Sequence, residues 1–196
     1  MGGKEKRTVF LGDSITEGYG VARGACWVDA LPGDNINHGI SGDTTDGMLR
    51  RFTAHVLNEK PDQVVIMGGI NDLSEGKSLQ SVQKNLQTMY EQAKRHDIDV
   101  VPAVCVMPDY TMLLENDWAD FYPGVRKLPE QLDALANWIR RYAEESELVC
   151  LDFARFFPKY TRDGYFRYFS DGVHPNARGH AIMGMIAKEL LYDTQI

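Results

Sequence analysis

The chain has 196 residues and a formal net charge of −7, with 43% hydrophobic and 25% charged residues. That length suits one domain over residues 1–196 with a sizeable core, and the acidic balance argues against a nucleic-acid partner, which needs clustered Lys and Arg. No apolar run approaches the roughly 18 residues that cross a bilayer, and the charged first seven residues lead into too short an apolar piece for a signal-peptide core, so the cytoplasm is the expected compartment.

Residues 8–11 read as a first strand that ends abruptly in Gly12-Asp13-Ser14. Residues 35–37 suggest a second. Met48, Leu49, Phe52 and Val56 then share one face of a helix, because three- and four-residue steps line up on a 3.6-residue turn. Asp43, with Asp46 three residues on, marks its start and puts acid at the positive end of the helix dipole. A third strand is expected at 63–67. A second helix carries Leu79, Val82, Leu86, Met89 and Ala93 on one face. A fourth strand is expected at 99–106. The next helix presents Leu128, Leu132, Leu135, Ile139 and Tyr142, with Pro129 in its first turn, where a missing N–H costs nothing. A fifth strand at 148–152 precedes the last helix, which carries Ile182, Met183, Ile186 and Leu190 and is expected to hold Pro175 in its first turn.

This alternation predicts an α/β domain with a mainly parallel sheet. Two aromatic-rich stretches, residues 108–124 and 156–170, resist regular assignment; long loops in compact domains are often functional. Cys26, Cys105 and Cys150 are odd in number and far apart, which suits reduced thiols acting as small hydrophobes. With no Cys-x-x-Cys or His-Glu-x-x-His pattern, no metal site is expected.

Four segments carry chemistry. They are Gly12-Asp13-Ser14, the run Asn37-His38-Gly39-Ile40-Ser41-Gly42-Asp43-Thr44, the run Gly68-Gly69-Ile70-Asn71-Asp72, and Asp171-Gly172-Val173-His174-Pro175. Three follow strands and the fourth opens a helix, so all can meet at the carboxyl edge of the sheet, where open α/β sheets bind ligands. A serine needs a base to become nucleophilic, and a carboxylate three residues before an imidazole can hold that base in one tautomer. Gly42 permits close backbone approach and Asn71 offers N–H without charge, though both also suit a turn or a cap. Asp13 and Asp72 read as structural carboxylates. The remaining histidines read as non-catalytic: His55, His96 and His180 are expected on helix surfaces, and for His38, near the rim, a supporting role is the alternative. The run from Gly18 to Arg23 lacks the third glycine of a dinucleotide fingerprint. Thr16 stands where a Gly-x-Ser-x-Gly elbow needs glycine, which argues against an α/β-hydrolase.

In these blocks, in this order and over nearly the whole length, the chain resembles the GDSL, or SGNH, hydrolase family, with the closest likeness to small bacterial esterases and lysophospholipase-like thioesterases. The resemblance implies a flavodoxin-like α/β/α three-layer sandwich with a five-stranded parallel sheet ordered 2-1-3-4-5. It implies Ser14 as nucleophile, His174 as general base and Asp171 as its partner. The backbone N–H groups of Ser14 and Gly42 and the side-chain amide of Asn71 would form the oxyanion hole. The expected activity is cleavage of a small-molecule carboxylic ester without metal or cofactor. A carbohydrate O-deacetylase, an acyl thioesterase and an inactive ligand-binding relative are the alternatives. Met107, Tyr110, Met112, Leu113, Leu114, Trp118, Phe121 and Tyr122 are candidates to wall a groove for short to medium acyl chains, with Tyr110, Leu113, Trp118 and Phe121 foremost; loop packing is the competing reading. The oligomeric state is not legible.

Overall fold

A computed structural model describes residues 6–115 and 121–193. Among them, five parallel strands form one sheet in the order β2-β1-β3-β4-β5. They are β1 (Arg7–Gly12), β2 (Asp34–Gly39), β3 (Gln63–Met67), β4 (Asp99–Val104) and β5 (Leu151–Asp152). β1 and β3 lie centrally, paired in register Val9↔Val64 through Gly12↔Met67. Their runs Val9-Phe10-Leu11 and Val64-Val65-Ile66 are buried without alternation, as a parallel sheet covered on both faces requires.

The long helices are α2 (Thr45–His55), α4 (Leu79–Arg95), α6 (Leu128–Glu145) and α8 (Ala177–Lys188). Shorter ones are α1 (Ser14–Glu17), α3 (Ile70–Ser74), α5 (Tyr110–Glu115) and α7 (Phe153–Phe156). α4 packs against both α2 and α6, burying Val82, Leu86 and Met89 of α4 and Leu132, Leu135 and Ile139 of α6. Trp27 sets its ring edge-on to Phe10 of β1 and to Phe153 of α7. Its backbone N–H donates to His180 of α8. Phe10 alternates with Val9 and Leu11, so Trp27 and α8 cover the opposite face of the sheet.

Several boundaries depart from the sequence pattern. The fifth strand is two residues long rather than five. Glu147 adopts φ +54° and Leu148 donates its N–H to Ala143 O, closing the end of α6. Those backbone groups serve the helix, and only Leu151 and Asp152 remain to pair with Ala103 and Val104. β4 stops at Val104, two residues early. The cap of α2 is Thr44, whose side chain accepts from Gly47 N, while the Asp43 carboxylate pairs with Arg51. Pro175 lies outside α8, bridged to Phe169, and Asn176 caps that helix instead. Residues 156–170 fold into two 3-10 turns, Phe157–Tyr160 and Tyr165–Tyr168. No helix among the described residues is long and apolar enough to cross a membrane.

Candidate active site

β1 ends at Gly12, and Asp13 then caps α1, accepting from Ile15 N at 3.0 Å. Ser14 therefore starts a helix at the carboxyl edge of the sheet, with only 5% of its surface exposed. The loop before α8 reaches the same point from the far end of the chain. His174 Nε2 lies 3.0 Å from Ser14 Oγ. His174 Nδ1 lies 2.6 Å from Asp171 Oδ2.

The Asp171 carboxylate is itself held by the turn it belongs to. Its Oδ1 accepts from Val173 N at 2.9 Å and from His174 N at 2.8 Å. Burial alone would raise its pKa, but the His174 ring and these backbone donors outweigh that and hold it below the ordinary 3.8. An ionised carboxylate only accepts, so the imidazole proton sits on Nδ1 and leaves Nε2 to accept from Ser14 Oγ. Gly172 adopts φ +92°, and a Cβ there would come within 2.6 Å of Leu113 N. Asp109 N donates to Gly172 O at 2.8 Å. The turn carrying Asp171 and His174 is thus clamped to the start of α5.

The other two blocks meet beside it. Gly42 adopts φ +75° and a Cβ there would meet nothing within 4 Å. Asn71 lies in the first turn of α3 and donates through Nδ2 to Asp43 O at 2.8 Å. Among the described residues, the N–H groups of Ser14 and Gly42 have no protein acceptor. Asp72 accepts from Thr45 N at 2.8 Å and Thr45 Oγ1 at 2.9 Å, tying α3 to α2. Burial pushes its pKa up despite these bonds. Asp13 is pushed up to about 6, because it is buried beside Ser14 with one backbone donor.

The expected groove residues separate. Tyr110 is half-buried and its hydroxyl has no partner among the described residues. Leu113 is 1% exposed and belongs to the core, so packing against the Gly172 turn accounts for it. Its neighbour Leu114 is 52% exposed and Phe121 78% exposed. Met107, Met112 and Tyr122 are half-buried, and Trp118 lies outside the described residues. Of the histidines, His96 is exposed and His38 stacks on His55 with ring centroids 4.5 Å apart. His180 is a correction. It is 1% exposed, accepts from Trp27 N through Nδ1, and is pushed down to about 4 by burial. Its spacing with Met183 and Ala187, both buried, would have put it on the inner face of α8.

Two residues at the site had not stood out in the sequence. Tyr19, just past the Gly18 cap of α1, sets its ring 4.6 Å from that of His174. Arg51 of α2 bonds Asp43, His38 O and Gly12 O together. Neither has a local signal, since one follows a glycine turn and the other sits on a helix otherwise read by its apolar face. Among the described residues no group of His, Cys, Asp and Glu is arranged to hold a metal ion.

A model of the GDSL-like lipase/acylhydrolase family matches residues 10–182. An arylesterase of Vibrio mimicus is 30% identical over 197 aligned residues, covering 95% of this chain and 88% of that one. An uncharacterised lipoprotein, YqeF of Bacillus subtilis, is 34% identical over 115 residues, 50% of this chain and 47% of that one. The crystal structure of a GDSL-like lipase from Bacteroides thetaiotaomicron superposes with a TM-score of 0.77 at 30% identity, covering 95% of this chain and 87% of the other. With the family's model running from the first strand into the last helix, and the arylesterase and the lipase structure matched nearly end to end, the chain belongs to the GDSL-like lipase/acylhydrolase family and is an ester-hydrolysing enzyme.

Proposed function

We propose that the chain cleaves carboxylic esters of short to medium acyl chains through an acyl-enzyme on Ser14. The observation that carries this reading is the continuous contact from Ser14 Oγ to His174 Nε2 and from His174 Nδ1 to Asp171 Oδ2. Ser14 Oγ attacks the ester carbonyl carbon while its proton passes to His174 Nε2. The imidazolium that forms is stabilised by the ionised Asp171. The carbonyl oxygen, now anionic, takes hydrogen bonds from the N–H groups of Ser14 and Gly42 and from Asn71. The Asn71 amide carries two N–H bonds, and the one not given to Asp43 O is free for this use.

Collapse of the tetrahedral intermediate breaks the C–O bond to the alcohol, which leaves with the proton from His174. Water then attacks the acyl-enzyme as His174 takes its proton, and the second collapse returns Ser14 and releases the acid. Donors already aimed at the developing charge supply the largest single share of such catalysis.

The exposed Leu114, on the helix clamped onto the Asp171–His174 turn, supports an apolar acyl contact, and the exposed Phe121 offers further apolar surface. The test is a p-nitrophenyl ester series from acetyl to palmitoyl, run beside acetylated xylo-oligosaccharide and an acyl thioester, with Ser14→Ala as control. The reading expects highest kcat/KM between acetyl and octanoyl and no turnover by Ser14→Ala. A peak at palmitoyl, or a clear preference for the sugar or the thioester, would reassign the substrate. Undiminished turnover by Ser14→Ala would remove the mechanism.

A further inference from the structure

We propose that Arg51 is a positioning residue whose guanidinium holds the oxyanion donors in register. The inference rests on the mechanism proposed above and adds a residue to it. Arg51 Nε donates to Asp43 Oδ2 at 2.7 Å, Nη2 to Gly12 O at 2.9 Å and Nη1 to His38 O at 2.9 Å. Nη1 also lies 3.0 Å from His55 Nδ1 on the next turn of α2. One planar cation thereby joins the tip of β1, the tip of β2 and the turn that follows β2.

Those are the pieces that carry the donors. Gly12 stands two residues before Ser14. Asp43 follows Gly42 directly, and its carbonyl takes the Asn71 amide at 2.8 Å. The Gly42 turn is open on the side where a Cβ would stand, with no residue beyond its chain neighbours within 4 Å of that point. Hydrogen bonds hold the turn: Ile40 N to Gly12 O at 3.1 Å, Asp43 N to Ile40 O at 3.0 Å, Asn71 Nδ2 to Asp43 O, Ser41 Oγ to Glu17, and Arg51 to the Asp43 carboxylate. The last is well shielded, with side-chain exposures of 13% for Arg51 and 12% for Asp43. Asp43 Oδ1 in turn accepts from Thr44 N at 2.9 Å, so fixing the carboxylate fixes the backbone after Gly42.

Lysine cannot replace this arrangement. An ammonium is a point donor, whereas the guanidinium fork meets several acceptors in one plane. Arg51→Lys keeps a positive charge near Asp43 but cannot serve both strand-tip carbonyls as well. A residue that sets the donors acts on the tetrahedral anion and spares ground-state binding. A residue that only braces the fold acts through the folded fraction.

The test uses the full chain and p-nitrophenyl acetate, with phenylboronic acid as a probe that forms a tetrahedral anion on the serine. Arg51→Lys is expected to lower kcat about tenfold or more, with KM changed less than about threefold, and to raise the boronate Ki by a similar factor. Adding Asn71→Ala to Arg51→Lys should cost less than adding it to the wild type, since both act on one unit. Asp43→Asn, which breaks the same ion pair from the other side, should reproduce the pattern and decides the matter if Arg51→Lys does not fold. A kcat within about twofold of wild type, full multiplication of the two effects, or a loss that tracks only the melted fraction overturns the proposal. Failure of the underlying mechanism looks different: Ser14→Ala would then keep the wild-type rate.

Discussion

The Tyr19 ring lies 4.6 Å from the His174 imidazole, tilted 47° to it, although 155 residues separate them in the chain. One side of the proposed base is thus covered by an aromatic ring that is itself 52% exposed. The contact braces the imidazole and adds an aromatic surface beside it. An aromatic pair of this kind contributes about 0.5–1.5 kcal/mol beyond its buried area. Tyr19→Ala is expected to lower kcat/KM by roughly 3- to 10-fold, and Tyr19→Phe to stay near wild type because the ring makes the contact. The loss should be larger for phenyl acetate than for ethyl acetate. Equal losses in both variants would point to the hydroxyl instead.

The Asn71 amide, half used by Asp43 O, is the side-chain member of the proposed oxyanion hole. Asn71→Ala should lower kcat by about 10²–10³ with little change in KM, the range for removal of one such donor. Steady-state kinetics at saturating p-nitrophenyl acetate reads this directly. A rise in KM at constant kcat would give the amide to ground-state binding.

Two buried groups set opposing pH dependences of stability. The Asp13 carboxyl is raised from 3.8 to about 6 by burial, so the fold binds its proton more tightly than the unfolded chain does. Its stabilisation is complete below pH 3.8 and is lost as pH rises through 6, a change of about 3 kcal/mol at 1.36 kcal/mol per unit. His180 is lowered from 6.5 to about 4 by burial. Its stabilisation is complete above pH 6.5 and is lost as pH falls through 4, again about 3 kcal/mol.

Between pH 4 and 6 these changes have opposite signs. Asp13→Asn keeps an acceptor for Ile15 N and removes the charge, so it should stabilise the fold at pH 7 and steepen its loss of stability on acidification. His180→Gln should do the reverse to the slope. Urea midpoints at several pH values across this window measure both. Slopes identical to wild type in both variants would contradict the assignment.

The candidate site is legible as short blocks at strand ends, because a parallel α/β sheet brings strand ends together. The sheet order followed from the family resemblance, while the alternation of patterns yielded only the class. What escaped reading was set by contacts between distant parts of the chain. Leu148 reads as strand by its apolar neighbours, yet its N–H closes a helix. His180 was read by its polarity, and its helical spacing with Met183 and Ala187 would have corrected that. Arg51 looked like one more charged helix residue until the tips of β1 and β2 supplied its acceptors. Leu113 and Leu114 are equally apolar in sequence, and only the clamp at Gly172 decides which one faces inward.

The most direct measurement is labelling of the intact chain by a fluorophosphonate, read by peptide mass spectrometry. A serine made nucleophilic by His174 should take one phosphonyl group at Ser14, and His174→Ala should slow that labelling by several orders of magnitude while melting normally. Labelling of the folded His174→Ala chain at the wild-type rate, or modification of wild type at some other residue with Ser14 untouched, would contradict the account.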